Sequence, residues 1–261
     1  VERDYFVART FLYSSGAGVI FYTLIAIALS NAMKIQNNFE KLLSFILSYL
    51  FLPIFMALPL VLSIAEVRLL DAWLEMVSSF TTTGFKITNL ETFSGSSVQL
   101  WIGMVSWIGG IFFWICAISI LLPLNISRLE IGTNDLVARS TGKGYENVNS
   151  VTSTARHLIP IYIIITISLW LLLTLLGVSG FQALLMSMSV ISTSGFDLMN
   201  NDVSNVFLIE GIILLFFVFA ISKSSFSRDI NDIQKFRVFN DPEICLALII
   251  IFAVTGLFYT K

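Results

Sequence analysis

Six stretches of this sequence, about 11–33, 43–64, 97–122, 156–178, 204–222 and 243–260, are apolar over the roughly 20 residues a helix needs to cross a bilayer. Lipid offers no hydrogen bonds to backbone N–H and C=O groups, so segments of this kind must satisfy them internally as helices. The expected fold is therefore an all-α membrane protein with six transmembrane helices. Charge agrees: only 12% of the 261 residues are charged and mean hydropathy is +0.87, against about 25% charged residues in soluble domains.

Two further segments do not fit the span pattern. Residues 70–90, between the second and third spans, and 180–200, between the fourth and fifth, each hold a short apolar helix and then a polar Thr/Ser-Gly segment. They are too short to cross and too apolar for plain loops, which marks them as candidate re-entrant hairpins. Sliding the chain by 111 residues lays "DAWLEMVSSFTTTGF" (71–85) on "QALLMSMSVISTSGF" (182–196). Ala72/Ala183, Leu74/Leu185, Ser78/Ser189, Thr82/Thr193, Gly84/Gly195 and Phe85/Phe196 are identical. Each copy reads as span, short helix, glycine turn, span, and the single crossing between copies gives both the same orientation, as in parallel repeats about an axis along the membrane normal. The organisation expected is an N-terminal helix and cytoplasmic turn (1–42), a first pore repeat (43–130), a cytoplasmic linker (131–155), a second pore repeat (156–228), and a linker leading into the first helix of a third repeat (229–261).

Lys and Arg counts set the expected orientation. If the spans alternate, Lys34, Lys41, Arg128, Arg139, Lys143, Arg156, Lys223, Arg228, Lys235 and Arg237 share one side, ten of the fifteen. That side is cytoplasmic by the positive-inside rule, and both glycine turns enter from the outer face. The expected location is the cell inner (plasma) membrane, crossed several times. A formal charge of −2 gives no reason to expect a nucleic-acid partner. Cys116 and Cys245 lie in apolar runs and read as small hydrophobes, and His157, the only histidine, makes no metal cluster. The N-terminal "VERDYFVART" mixes both signs of charge and is not followed by a cleavage site, so it does not read as a signal peptide. An outside start without a signal is expected of part of a longer product.

A hairpin of this kind suits a cation path. A short helix from near Asp71 to near Thr81 points its C-terminal carbonyls into the membrane, and its dipole puts partial negative charge there. The extended Thr82-Thr83-Gly84-Phe85 that follows can aim carbonyl oxygens at an axis and replace an ion's hydration shell. Gly84 and Gly195 reach backbone angles closed to other residues. Hydroxyls on Thr81, Thr82, Thr83, Ser192, Thr193 and Ser194 can satisfy groups that a broken helix leaves unpaired. A lone Thr-Thr-Thr-Gly is a common loop sequence, and it is the second copy in the same register that carries the argument. Trp101, Trp107, Trp114 and Trp170 read as interfacial or packing residues, and Gly109-Gly110 as permitting close helix contact rather than as a hinge. Glu75, opposite Met186 in the other copy, reads as an anchor. "STGKG" (140–144) lacks the glycine spacing and preceding strand of a phosphate-binding loop, and "NDPEI" (240–244) reads as a helix start capped by Asp241 with Pro242 in the first turn.

"ALPLVLS" and "LLDAWLEMVSSFTTTGF", followed by "WIGG", resemble the first repeat of the TrkH/KtrB/HKT superfamily of potassium transport proteins, especially its TrkH branch. "GVSGFQALLMSMSVISTSGF" resembles the second repeat, and "FNDPEICLALII" the entry to the third. The resemblance implies a pore of four span–hairpin–span repeats in one polypeptide, with one filter glycine per repeat. It also implies pairing as homodimers and regulation by cytosolic nucleotide-binding subunits. Carried onto this chain, the ion-binding selectivity-filter positions are Thr82, Thr83, Gly84 and Phe85 in the first repeat and Thr193, Ser194, Gly195 and Phe196 in the second. K⁺ is the transported ion, and no other metal or cofactor is expected.

Only two of the family's four hairpins are present, and its usual first helix, its third-repeat gating loop and its fourth filter strand are not found. The missing repeats are therefore expected from another chain or from the rest of a longer polypeptide. The main function expected is potassium transport by a pore-forming part of a TrkH-type uptake subunit, and the competing one is a non-conducting structural subunit of a membrane complex. An enzyme is not expected, because no nucleophile–base pair or paired carboxylates occur at useful depth.

Overall fold

The computed structural model describes residues 9–14, 16, 18, 23, 38–64, 67–85, 96–121, 151–195 and 206–221. Among them every regular element is helical and none is a strand. They are α1 (Asn38–Ser63), α2 (Leu69–Phe80), α3 (Ser96–Cys116, continued by a π-helical turn Ala117–Leu121), α4 (Val151–Leu175), α5 (Gly180–Ser192) and α6 (Val206–Ile221). Most of the first expected span, the sixth span at 243–260, most of the linker at 131–155 and the whole of 229–261 lie outside the described residues, as do "STGKG" and "NDPEI".

Three of these helices are long and apolar enough to cross a membrane, over Leu42–Ser63, Ser96–Ser119 and Thr154–Leu175. α1 and α4 each begin five residues before the expected apolar window, because helix propensity continues into polar flanks that hydropathy alone does not include. α6 is apolar but has only 16 residues. The two short helices, α2 with 12 residues and α5 with 13, are about 18 and 20 Å long at 1.5 Å per residue. Both fall short of the roughly 30 Å hydrocarbon layer.

The packing follows the repeat. α2 lies against α1 and α3, and α5 lies against α4 and α6 but also against α3. One apolar core holds Ala57 and Leu60 of α1, Ala72, Met76 and Phe80 of α2, and Ile102 and Val105 of α3. The other joins Ile111 of α3 with Tyr162, Leu169 and Leu173 of α4, Met186 and Ile191 of α5, and Ile209 of α6. α3 is thus shared between two cores, one per repeat, and stands between the two short helices.

Tryptophan indoles tie these helices together, the packing alternative of the two expected of Trp101, Trp107 and Trp170. Pro53 and Pro59 lie inside α1, where each removes a ladder donor and loosens the preceding carbonyls. Trp73 Nε1 donates to Leu50 O at 3.0 Å and Trp101 Nε1 to Met56 O at 2.9 Å. Each of these carbonyls lies three residues before a proline. Trp107 Nε1 donates to Thr166 Oγ1 at 3.0 Å, and Trp170 Nε1 to the carbonyl of Gly180, the first residue of α5, at 2.9 Å. The Trp101 and Trp107 bonds are part-buried, where an unpartnered N–H costs up to roughly 1–3 kcal/mol, so they favour this packing of the helices, while the Trp73 and Trp170 bonds are exposed.

Candidate functional site

Both short helices end in the same way. After α2, Thr83 N donates to Ser78 O at 2.9 Å and Thr82 N to Ser79 O at 3.0 Å. After α5, Ser194 N donates to Ser189 O at 3.0 Å and Thr193 N to Val190 O at 3.2 Å. This paired pattern is a Schellman cap, which reverses the chain through one left-handed residue, most often glycine. Here that residue is threonine in both copies, Thr82 at φ 55° and Thr193 at φ 56°. A β-branched residue in this region is an outlier, and left-handed backbone costs an L-residue about 1–2 kcal/mol. Two positions further on, Gly84 has φ 69° and Gly195 φ 68°. The sequence repeat is therefore a repeat of backbone geometry, residue for residue.

The cap also sorts donors from acceptors. The amides of Thr81, Thr82, Thr83 and Gly84 all turn back into α2, to the carbonyls of Val77, Ser79 and, for both Thr83 and Gly84, Ser78. Among the described residues no donor meets the carbonyls of Thr82, Thr83 or Gly84. The backbone of residues 82–84 thus presents carbonyl acceptors and no amide donors, at the end of a helix whose dipole is negative there. No titratable side chain lies in 81–85 or 193–195, so these residues themselves offer a cation oriented dipoles rather than charge.

Side chains hold each turn against its own helix. Ser78 Oγ donates to Phe85 O at 2.7 Å, and Thr81 Oγ1 to Val77 O at 2.8 Å while also lying 2.8 Å from Thr83 Oγ1. In the second copy Ser194 Oγ donates to Ser189 Oγ at 3.4 Å and Ser192 Oγ to Ser189 O at 3.4 Å. The hydroxyls of Thr81 and Ser192 thus bond carbonyls that backbone amides already reach, rather than the unpaired groups expected of them. Ser78 and Ser189 were visible in the repeat alignment as identities, yet their bracing of the turn was not. The copies differ in exposure: Thr81 and Thr83 are exposed, whereas their counterparts Ser192 and Ser194 are buried.

The two turns meet. A Cβ placed on Gly84 would collide with the carbonyl oxygen of Ser194 and lie 3.2 Å from its carbonyl carbon. The close approach and the positive φ each call for glycine. Gly195 carries the same φ, but nothing among the described residues lies within 4 Å of a Cβ there. The structure thus brings Gly84 of the first turn against Ser194 of the second, while Phe196 lies outside the described residues.

Behind the turns, the end of α2 is clamped by rings. Phe80, 1% exposed, lies 5.2 Å from Tyr49 of α1 and 5.4 Å from Phe112 of α3, centroid to centroid. Glu75 is buried in α2 and partnered, in keeping with an anchor, and Glu210 on α6 is exposed. Among the described residues no group of His, Cys, Asp or Glu is placed to hold a metal ion.

No family model matches the chain, and no solved structure matches it. Two curated proteins do. The uncharacterized cation transporter MJ1485 of Methanocaldococcus jannaschii is 31% identical over 242 residues, 88% of this chain and 49% of that protein. The Trk system potassium uptake protein TrkI of Halomonas elongata is 32% identical over 165 residues, 60% of this chain and 31% of that protein. The chain thus spans about half the length of the first relative and about a third of the second. The duplicated glycine turns and these two relatives are consistent with a member of the TrkH-like superfamily of potassium transporters.

Proposed function

We propose that this chain is the pore-forming part of a TrkH-type potassium uptake system and contributes two quarters of its selectivity filter. Thr82, Thr83, Gly84 and Phe85 form one quarter and Thr193, Ser194, Gly195 and Phe196 the other. α2 and α5 are the re-entrant arms of two hairpins set between six membrane spans, and the chain lies in the cell's inner (plasma) membrane. The remaining quarters come from further repeats, in another chain or in the rest of a longer polypeptide. The assembly pairs as a homodimer and answers to a cytosolic nucleotide-binding subunit. The observation that carries this reading is chemical: after α2 the amides of residues 81–84 bond back into the helix while the carbonyls of Thr82, Thr83 and Gly84 meet no donor among the described residues, and this turn touches the second one at Gly84 and Ser194.

Carbonyl oxygens converging from several turns replace the water that K⁺ must shed. Backbone dipoles serve this better than carboxylates would, because they attract an ion without holding it too tightly to leave. The relatives' printed names, a cation transporter and a potassium uptake protein, favour the same substrate class.

The test is ion uptake by a potassium-uptake-deficient host that makes the chain together with the polypeptide supplying the other repeats. Gly84→Ser, checked for normal amount and assembly, should reduce the preference for K⁺ over Na⁺. Unchanged selectivity in assembled protein overturns the filter assignment. Normal transport after deletion of 81–85 points instead to a non-conducting structural subunit.

A further inference from the structure

Gly109 and Gly110 are consecutive on α3, and each receives the end of a different short helix. A Cβ on Gly109 would overlap the carbonyl oxygen of Phe80, the last residue of α2, and lie 2.7 Å from its carbonyl carbon and 2.9 Å from its Cα. A Cβ on Gly110 would lie 3.0 Å from Cβ and 3.1 Å from Cα of Ser192, the last residue of α5, and 2.7 Å from Tyr162 Oη. Neighbouring residues of a helix differ by about 1.5 Å in height and about 100° in direction. The pair therefore seats the two helix ends at nearly one depth, on adjacent sides of one helix. The mount is stiff. Tyr162, 1% exposed, donates its hydroxyl to Trp107 O at 3.2 Å, Trp107 Nε1 reaches Thr166, and Thr166 Oγ1 bonds back to Tyr162 O at 2.7 Å. On the other side the Phe112 ring packs against Phe80 at a tilt of 33°.

We propose that Gly109-Gly110 is the positioning element that levels the two turns, sets the Gly84–Ser194 gap and thereby tunes ion selectivity, a role that rests on the filter reading above. Neither glycine touches the ion; both act through the helix ends they seat. A methyl group at either position pushes one turn away from α3 and leaves the other in place, which opens the gap on one side only. Gly103 is the internal control, because a Cβ there meets only the ends of side chains, Leu185 Cδ2 at 2.8 Å and Met188 Sδ at 4.0 Å, and no backbone atom of a short helix.

The test uses the assembled protein with Cys116→Ala and Cys245→Ala and two readouts. The first is the distance between spin labels on Thr83→Cys and Thr193→Cys, which needs no transport. The second, with positions 83 and 193 native, is the K⁺/Na⁺ uptake ratio. Gly109→Ala and Gly110→Ala should shift the label distance and lower the ratio about tenfold, equal to about 1.4 kcal/mol of discrimination. Gly103→Ala should leave both unchanged. Adding Tyr162→Phe to Gly110→Ala removes the nearest obstruction and should recover part of the shift, which general destabilisation would not do. If Gly110→Ala fails to assemble, the same double variant is measured alone, and a native distance and ratio there overturn the proposal. So do an unmoved distance in assembled Gly110→Ala, or a shift of equal size in Gly103→Ala. A moved distance with an unchanged ratio overturns the link to selectivity, and an unchanged ratio in Gly84→Ser as well places the failure in the filter reading.

Discussion

Replacing Gly84 and Gly195 by alanine, one at a time, separates two reasons for a glycine. The positions are repeat-related and have nearly the same φ, 69° and 68°. Alanine in left-handed backbone costs about 1–2 kcal/mol at either site. At Gly195 nothing among the described residues stands within 4 Å of the new methyl, so little should be added. At Gly84 the methyl meets the Ser194 carbonyl, a backbone group with no rotamer by which to withdraw, and overpacking of this kind costs about 1–3 kcal/mol more. The expected destabilisation is then about 2–5 kcal/mol for Gly84→Ala and about 1–2 kcal/mol for Gly195→Ala. The assay is thermal unfolding of the detergent-purified assembly, followed by loss of the monodisperse peak. At about 2–4 °C per kcal/mol, the two variants should differ by several degrees, with Gly84→Ala the lower. Equal midpoints for the two variants, or a lower one for Gly195→Ala, refute the claim that the turns touch at Gly84.

Other outcomes follow from the same geometry. Thr193→Gly should raise the unfolding midpoint, because relief of about 1–2 kcal/mol of left-handed strain exceeds the about 0.4–1 kcal/mol entropic cost of a glycine; a lowered midpoint contradicts a strained cap. Phe80→Ala removes a ring buried against Tyr49 and Phe112 and should cost about 3–5 kcal/mol, read as a large fall in midpoint or loss of assembly. Ser78→Ala removes the bond to Phe85 O and should cost about 1 kcal/mol, with faster proteolysis near residue 85 as its local signature. Arg68→Ala breaks a bidentate pair with Asp71 whose arginine is exposed and should lower the midpoint only slightly, because solvent screens such a pair.

Much of this protein is legible in its sequence, for local reasons. Hydropathy over about 20 residues marks a helix fit for lipid, and three of the expected spans appear as helices over Leu42–Ser63, Ser96–Ser119 and Thr154–Leu175. The offset of 111 residues that aligns Gly84 with Gly195 also aligns their backbone angles and those of Thr82 and Thr193, because a Schellman cap is made within six residues. "WIGG" was legible as a place of close contact, since glycine beside tryptophan in an apolar helix leaves room for little else.

Other features came only with the tertiary structure. Turn chemistry favours glycine at the left-handed cap position, so the threonines at 82 and 193 give no local sign of their conformation. The partners of "WIGG" are separated from it by tens of residues: Phe80 before it, and Ser192 and Tyr162 after it. Neither periodicity nor composition encodes which distant backbone fills a gap. The same holds for Gly84 and Ser194, whose contact requires α2 and α5 to be mounted on one shared helix. The sequence by itself determined the helices, the repeat and the two turns, because each is specified by neighbours along the chain. Only the tertiary structure decided that the turns face each other, because that depends on packing between helices far apart in sequence.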